Sequence, residues 1–382
     1  MEKGGKNIWH WVGLFSVSVL VACVLCAAYT KTIYTQDGYA TVQMSQKVIY
    51  QATTEEVVAK PEKVYAKGIY LTAYSAGSEK KLNSIITLIH STELNTIVID
   101  IKDDSGYVLY DSEIPQVNEL DLEDNRLGDV QAIVQKLHDN DIYVIARQMV
   151  FQDPVLARKK PEWALRNKSG GIWADHKGQA WVDPTIEDVW KYNMDIAKEA
   201  ITFGFDEINF DYVRFPSDGN MKSVVYTNGE KKKYEVMEEF YAYLGEEFAV
   251  LPAWVSLDMF GFVMERHDGM SIGQRLEDAV NNVDYVCPMM YPSHYPSGHL
   301  GLQNPAAHPK MVIQNGMEKG VLHFINTQAS VRPWIQAFNI GAVYDGQKIR
   351  AQIDEIENVS SSGWLLWNAA NRYSAAGLKT ST

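Results

Sequence analysis

The chain has 382 residues, 46% of them hydrophobic and 22% charged, which is enough apolar material for a full core and far from a disordered or fibrous composition. Thirty-five Lys plus Arg against 48 Asp plus Glu leave a net charge of −13, and a surface of that sign repels phosphate backbones. Nucleic acid is therefore disfavoured as a partner.

Residues 1–7 form a short polar N-terminus with Lys3 and Lys6, followed by Ile8 to Tyr29, a stretch without a single Asp, Glu, Lys or Arg. About 20 apolar residues suffice to cross a bilayer as a helix. A membrane anchor over 8–29 is the expectation, with the N-terminus cytoplasmic and the remainder outside by the positive-inside rule. Two alternatives stay open: a signal segment cleaved after secretion, and a lipoprotein modified at Cys23, because Leu20-Val21-Ala22-Cys23 resembles a lipobox. Of three cysteines, Cys23 and Cys26 lie in the apolar segment, so Cys287 is left with no thiol partner outside it. Residues 30–66, rich in Thr, Gln, Ser and Lys, read as a stalk, and 67–382 as the folded domain.

From Gly68 onward, short β-branched or aromatic runs alternate with stretches of helical spacing, the pattern of repeated βα units. Eight strands are expected: Gly68 to Tyr74, Thr96 to Lys102, Ile142 to Gln148, Phe205 to Asp211, Ala253 to Asp258, Asp284 to Met290, Arg332 to Phe338 and Trp364 to Asn368. Between them lie amphipathic sets such as Leu82, Ile85, Ile86 and Ile89; Val130, Ile133, Val134 and Leu137; Ile272, Leu276 and Ala279; and Ile349, Ile353 and Ile356. Helix-to-strand links are short, whereas the strand-to-helix links Phe151 to Thr185, Pro216 to Lys232 and Pro292 to Ala306 are long. That asymmetry predicts an α/β fold, a (β/α)₈ TIM barrel whose long loops build a working top face. A doubly wound open sheet is the competing architecture, but no G-x-G-x-x-G and no Walker motif support nucleotide binding.

Barrel strands are covered on both faces and should be nearly all aliphatic. The fourth is not: by alternation Glu207, Asn209 and Asp211 share one face, opposite Ile208, Phe210 and Tyr212. On neighbouring strands Asp100 and Lys102, Arg147, and Ser256 and Asp258 alternate onto the same side. Buried carboxylates need partners, so acids and bases are expected to converge near the barrel mouth, either as a catalytic group or as an ion-pair network that locks the barrel.

The run Phe205 to Pro216 with its FDYVRFP core, together with Val98 to Asp103, Cys287 to Tyr295 and Arg332 to Phe338, resembles a family of glycoside-hydrolase-like barrels of bacterial cell-envelope proteins. The resemblance covers roughly Lys67 to Ser374. It implies a glycosidase-like (β/α)₈ domain acting on a polysaccharide, with Asp211 as the leading catalytic position.

Glycoside hydrolysis needs one carboxyl group to protonate the leaving oxygen and another to attack or to activate water. Asp211 is the expected nucleophile or base, Asp258 the general acid, and Asp100 a substitute for either. Arg147 and Lys102 are expected to orient these carboxylates, Arg214 to pair with a loop acid, and Glu207 to be structural. Aromatic rings stack on the CH faces of sugars, which makes Trp173, Tyr291, Trp334 and Trp367 candidate substrate contacts, with Trp163, Trp181 and Tyr295 nearby in sequence; packing of the loop onto the barrel is the alternative for Trp163, Trp173 and Trp181, and a core position that for Trp364 and Trp367. His294 and Gln336, in the sixth and seventh motifs, are counted with them. His294, His299 and His308 share a loop but follow no metal-ligand spacing, so no metal and no cofactor are expected. The expected function is cleavage of a cell-wall, capsular or matrix polysaccharide outside the membrane. A carbohydrate-binding barrel without catalysis, acting as an envelope scaffold, is the alternative, and a metal-dependent hydrolase a third.

Overall fold

A computed structural model describes residues 59–381. The expected apolar helix over 8–29 and most of the stalk lie outside the described residues. Among the described residues no helix is long and apolar enough to cross a membrane.

The domain alternates strand and helix in chain order: β1 (Ala66–Leu71), α1 (Glu79–His90), β2 (Thr96–Lys102), α2 (Val130–His138), β3 (Tyr143–Met149), α3 (Glu187–Thr202), β4 (Glu207–Asp211) and α4 (Lys233–Phe248). The second half follows with β5 (Trp254–Phe260), α5 (Leu276–Ala279), β6 (Tyr285–Met290), α6 (Pro309–Gly320), β7 in two pieces (Ser330–Val331 and Trp334–Gln336), α7 (Gly346–Glu357) and β8 (Gly363–Trp367). Every neighbouring pair is parallel, and β1 bonds both β2 and β8, with Gly68 opposite Thr96 on one side and Leu365 on the other. The sheet therefore closes into an eight-stranded parallel β/α barrel.

The helices form where the apolar period is cleanest. On α1, Leu82, Ile85, Ile86 and Ile89 are all buried, each such side chain contributing about 1.5–3 kcal/mol. Asp129 and Asp345 cap α2 and α7 by accepting the amides of Ala132 and Lys348 at 2.9 and 3.0 Å. Two expected elements differ. The helix expected through Ile272 shrinks to α5, because Met270, Ser271 and Gly273 turn left-handed (φ 48°, 60° and 91°) and Ile272 falls in the turn they make. The seventh strand is broken, because Pro333 has no N–H to offer its neighbours.

The composition change at Lys67 does not mark where the chain meets the barrel. Pro61 already accepts the Trp254 indole N–H at 3.0 Å and Lys60 pairs with Asp284 at 3.2 Å, so these residues lie against the lower ends of β5 and β6. Inside the barrel, Val98, Tyr143, Ile145, Tyr285, Cys287 and Leu365 form an apolar cluster. Low in it, Glu207 takes both carboxylate oxygens to Arg332 Nη1 (2.8 and 2.9 Å) and accepts the Tyr143 hydroxyl at 3.1 Å. That buried pair gives Glu207 a structural role. On the opposite, upper face the loops after β3 and β4 join through a small antiparallel pairing of Arg166–Asn167 with Val224–Val225.

Candidate active site

At the C-terminal ends of the strands a cavity of about 940 Å³ opens, with Asp100, Arg147, Asp211 and Asp258 in its lining. Period-two alternation places them there: Val98 and Asp100, Ile145 and Arg147, Asn209 and Asp211, and Ser256 and Asp258 turn inward, while Ile97, Val144, Ile208 and Leu257 join the core outside the sheet.

Arg147 is the hub. Its Nη1 donates to Asp100 Oδ1 at 2.5 Å, its Nη2 donates to Asp211 Oδ2, and its Nε lies 3.5 Å from Asp258 Oδ2. Burial opposes the guanidinium charge, but Asp100 and Asp211 hold its proton well above the ordinary range. Asp100 also accepts the Tyr70 hydroxyl, and Tyr70 stacks on Trp367 with ring centres 4.0 Å apart. Asp211 Oδ1 accepts the backbone N–H of Tyr212 at 2.5 Å. Tyr212 carries a left-handed φ of 54°, a conformation an aromatic residue adopts only when its surroundings enforce it.

Asp258 is held differently. Its Oδ1 accepts from Asn209 Nδ2 at 2.9 Å and from the Trp334 indole at 2.7 Å. Burial, and after it the charge of Asp211, push its carboxyl up to about 8, against the pull of Arg147 and the two donors. Burial also raises Asp100, to about 6, with Arg147 and Tyr70 opposing. Two carboxyl groups at one floor, Asp100 and Asp258, are thus raised to different degrees by their surroundings, an arrangement suited to proton transfer.

Not every residue expected here arrives. Lys102 fails to join because the register slips between Asp100 and Lys102: Asp100 faces Arg147, but Lys102 faces Gln148, so the bulge turns Lys102 out under the helices. There it is buried against Asp153 at 2.7 Å and donates to the Met149 carbonyl. Trp173 is buried in its loop, donating to the Asn220 carbonyl at 3.2 Å, and lines no part of the cavity. Gln336 is likewise buried, accepting the Ser293 amide and donating to the Phe338 carbonyl, so it shapes the loops above rather than touching the cleft. Trp334 lies just beneath the floor. Tyr291, His294, Tyr295 and Trp367 do line the cavity, and burial lowers the His294 proton affinity.

Among the described residues Arg214 pairs with no loop acid. It lines the cavity and, among those residues, donates to the Phe215 carbonyl (3.1 Å) and Ser217 Oγ (3.4 Å). Residues not expected from the sequence to line the cleft include Tyr70 and the rim residues Lys177 and Asp218, and the rim also takes in Asp103, which closes the second-strand motif, and Asp104 beside it. Tyr70 had a signal, since it alternates with Gly68 on an otherwise outward-packing strand. The rim residues had none, because loops follow no period. No metal-ligand cluster forms in the cleft among the described residues. His267, Glu277 and His323 do bring one ligand atom each within 4.8 Å of one another, but none of the three lines the cavity.

The family model described as "Putative glycosyl hydrolase domain" matches residues 68–373, and the chain belongs to that family. Among solved structures, the chain is similar to the PgaB (BpsB) glycoside hydrolase domain from Bordetella bronchiseptica, at 11% identity over 79% of this chain and 94% of that one, with a TM-score of 0.57. It is also similar to an alpha-galactosidase from Thermus thermophilus solved with stachyose, at 12% identity over 81% of this chain and 63% of that one, with a TM-score of 0.50. Both are likenesses of fold. A hypothetical protein from Ruminiclostridium thermocellum is 43% identical over 50% of this chain and 96% of its own, with a TM-score of 0.46. Among curated protein sequences no relative matches.

Proposed function

We propose that the protein hydrolyses a cell-wall, capsular or matrix polysaccharide outside the membrane, with Asp258 as proton donor and Asp211 as nucleophile or base. One observation carries this reading: two buried carboxyl groups on adjacent strands share the cleft floor, and Asp258 holds its proton to about pH 8. A protonated Asp258 can deliver its proton to a departing glycosidic oxygen at neutral pH. Asp211, with donors on both oxygens, is fixed in place to meet the sugar carbon or to take a proton from water. Asp100 is the nearest substitute for either role. Tyr291 and Trp367 offer aromatic faces to the ring being cleaved. The location outside the membrane rests on the charge-free run from Ile8 to Tyr29 behind Lys3 and Lys6.

A second reading has its own observation. Arg147 engages Asp100 and Asp211 together, which is also how a locked, purely structural network would look, and a carbohydrate-binding scaffold would keep the aromatic cleft without turnover. The test is oligosaccharide release by the full-length protein from a panel of bacterial surface polysaccharides, followed by mass spectrometry, beside Asp211→Asn and Asp258→Asn. Release by the parent and loss in both variants supports hydrolysis. Polysaccharide bound by all three forms with no product from any establishes the scaffold.

A further inference from the structure

Arg214 is 8% exposed, yet no Asp or Glu among the described residues forms an ion pair with it, in contrast to Arg147 and Arg332, which are still more deeply buried and are paired. The rings of Phe260, Tyr212 and Trp181 surround its guanidinium at 4.7, 4.9 and 5.0 Å. They flank the group without supplying a counter-charge. Burial pulls its proton affinity down, and the more distant charges of Asp211, Asp218 and Asp175 only partly offset this. A desolvated guanidinium without a counter-ion is costly to keep, and that cost is recovered if an anion arrives from outside.

The geometry says which anion fits. Only Nη1 is used, on Phe215 and Ser217; Nε and Nη2 make no hydrogen bond among the described residues, and the side chain lines the cleft. Those two nitrogens form the edge of a guanidinium whose parallel N–H groups match the two oxygens of a carboxylate. Lys177, exposed on the same cleft and in no ion pair among the described residues, adds a second positive charge. We propose that Arg214, assisted by Lys177, binds the carboxylate of a sugar acid, so that the substrate is a polysaccharide containing uronic acid or another carboxylated sugar. This rests on the glycosidase reading and names its substrate class.

Two experiments on the full-length protein test it. Calorimetry compares methyl glucuronoside with methyl glucoside, with sodium sulfate and sodium phosphate as further probes. The glucuronoside is expected to bind about 10–100-fold more tightly than the glucoside, the worth of a two-point charge-assisted contact. That preference should vanish in Arg214→Gln and fall severalfold in Lys177→Ala, an exposed position where folding is not at stake. Arg214→Lys keeps the charge but not the paired edge, so it should lose most of the preference while its melting temperature shows the fold intact. Equal binding of both glycosides, a preference that survives Arg214→Gln, or sulfate or phosphate binding as well as the glucuronoside would each overturn the proposal.

The second experiment compares product release from a glucuronate-containing polysaccharide with release from its carboxyl-reduced form. Faster cleavage of the parent polymer supports the proposal. Equal cleavage of the two polymers overturns it and leaves the glycosidase intact. Carboxylate-selective binding without release from any polymer removes the glycosidase reading and leaves the site.

Discussion

Trp334 and Asp258 stand on strands that are not neighbours, β7 and β5, yet the indole N–H meets the carboxyl Oδ1 at 2.7 Å. The contact crosses the barrel interior above β6. With Asn209 donating to the same oxygen, a proton carried by Asp258 sits on Oδ2, the oxygen beside Arg147 Nε. The Trp334 ring is therefore a support for the proposed donor Asp258 rather than a platform for sugar, which is why its aromatic character alone was a poor guide to its place.

The pH dependence follows from Asp258. If it is the proton donor, activity persists through neutral pH and falls as pH rises through about 8. Asp211→Asn removes the like charge that helps raise Asp258, so in that variant Asp258 should lose its proton at lower pH, a change visible by carboxyl carbon NMR. Trp334→Phe removes a donor to the charged form and should move the alkaline limb of the parent's profile upward.

Stability carries the same signature with a definite sign. The native state keeps the Asp258 proton to about 8, whereas the unfolded chain releases it near the ordinary value of about 3.9. The stabilisation is complete below the unfolded value and is lost as pH rises toward 8. Asp258→Asn cannot ionise, so its stability relative to the parent should climb between about pH 4 and 8, by an amount on the order of a few kcal/mol, and then level off. Urea unfolding at a series of pH values measures it; a pH-independent difference would sink this account.

Tyr70→Phe isolates the hydroxyl on Asp100, because the ring stacked on Trp367 remains. Loss of a donor to the charged form raises Asp100 above about 6. Where an ionised Asp100 matters, the acid limb of the rate profile should move to higher pH and the rate at pH 6 should drop about tenfold, with the melting temperature little changed.

Lys102 and Asp153 make the opposite kind of pair, buried away from the cleft. Lys102→Met strands a buried carboxylate and should cost about 3–5 kcal/mol, while Lys102→Met with Asp153→Leu should recover much of it. Turnover per folded molecule should be unchanged in both. A selective loss of kcat in the folded single variant would return Lys102 to the site.

Gly363→Ala tests the closing seam. Gly363 has φ 96°, and a Cβ there would stand 1.8 Å from the Ala66 carbonyl oxygen. Backbone must move, at a cost of about 3 kcal/mol or more, seen as a lower midpoint in urea.

The barrel was legible because periodicity is a long-range average: eight strands and most helices survive an error of a residue or two at their ends. The convergence of Asp100, Arg147, Asp211 and Asp258 was legible for the same reason, since alternation puts strand residues on one face or the other. Lys102 was misplaced by the same rule, because a bulge adds one residue and reverses the parity without changing composition. Trp173 sits in a long loop, where nothing local distinguishes a ring that packs from one that meets a ligand, and Gln336 ends the broken β7, where Ser293 and the Phe338 carbonyl take up its amide.

The seam between β1 and β8 also orders events during synthesis. Ala66 and Gly363, partners across it, are separated by almost the whole domain sequence. While the chain emerges from the ribosome β1 can pair with β2, but its other edge stays open until Gly363–Trp367 has been made. An unpaired parallel edge recruits strands indiscriminately. Crowded nascent chains would then be expected to exchange last strands between copies, and slow, chaperoned delivery of this protein would favour the correct closure.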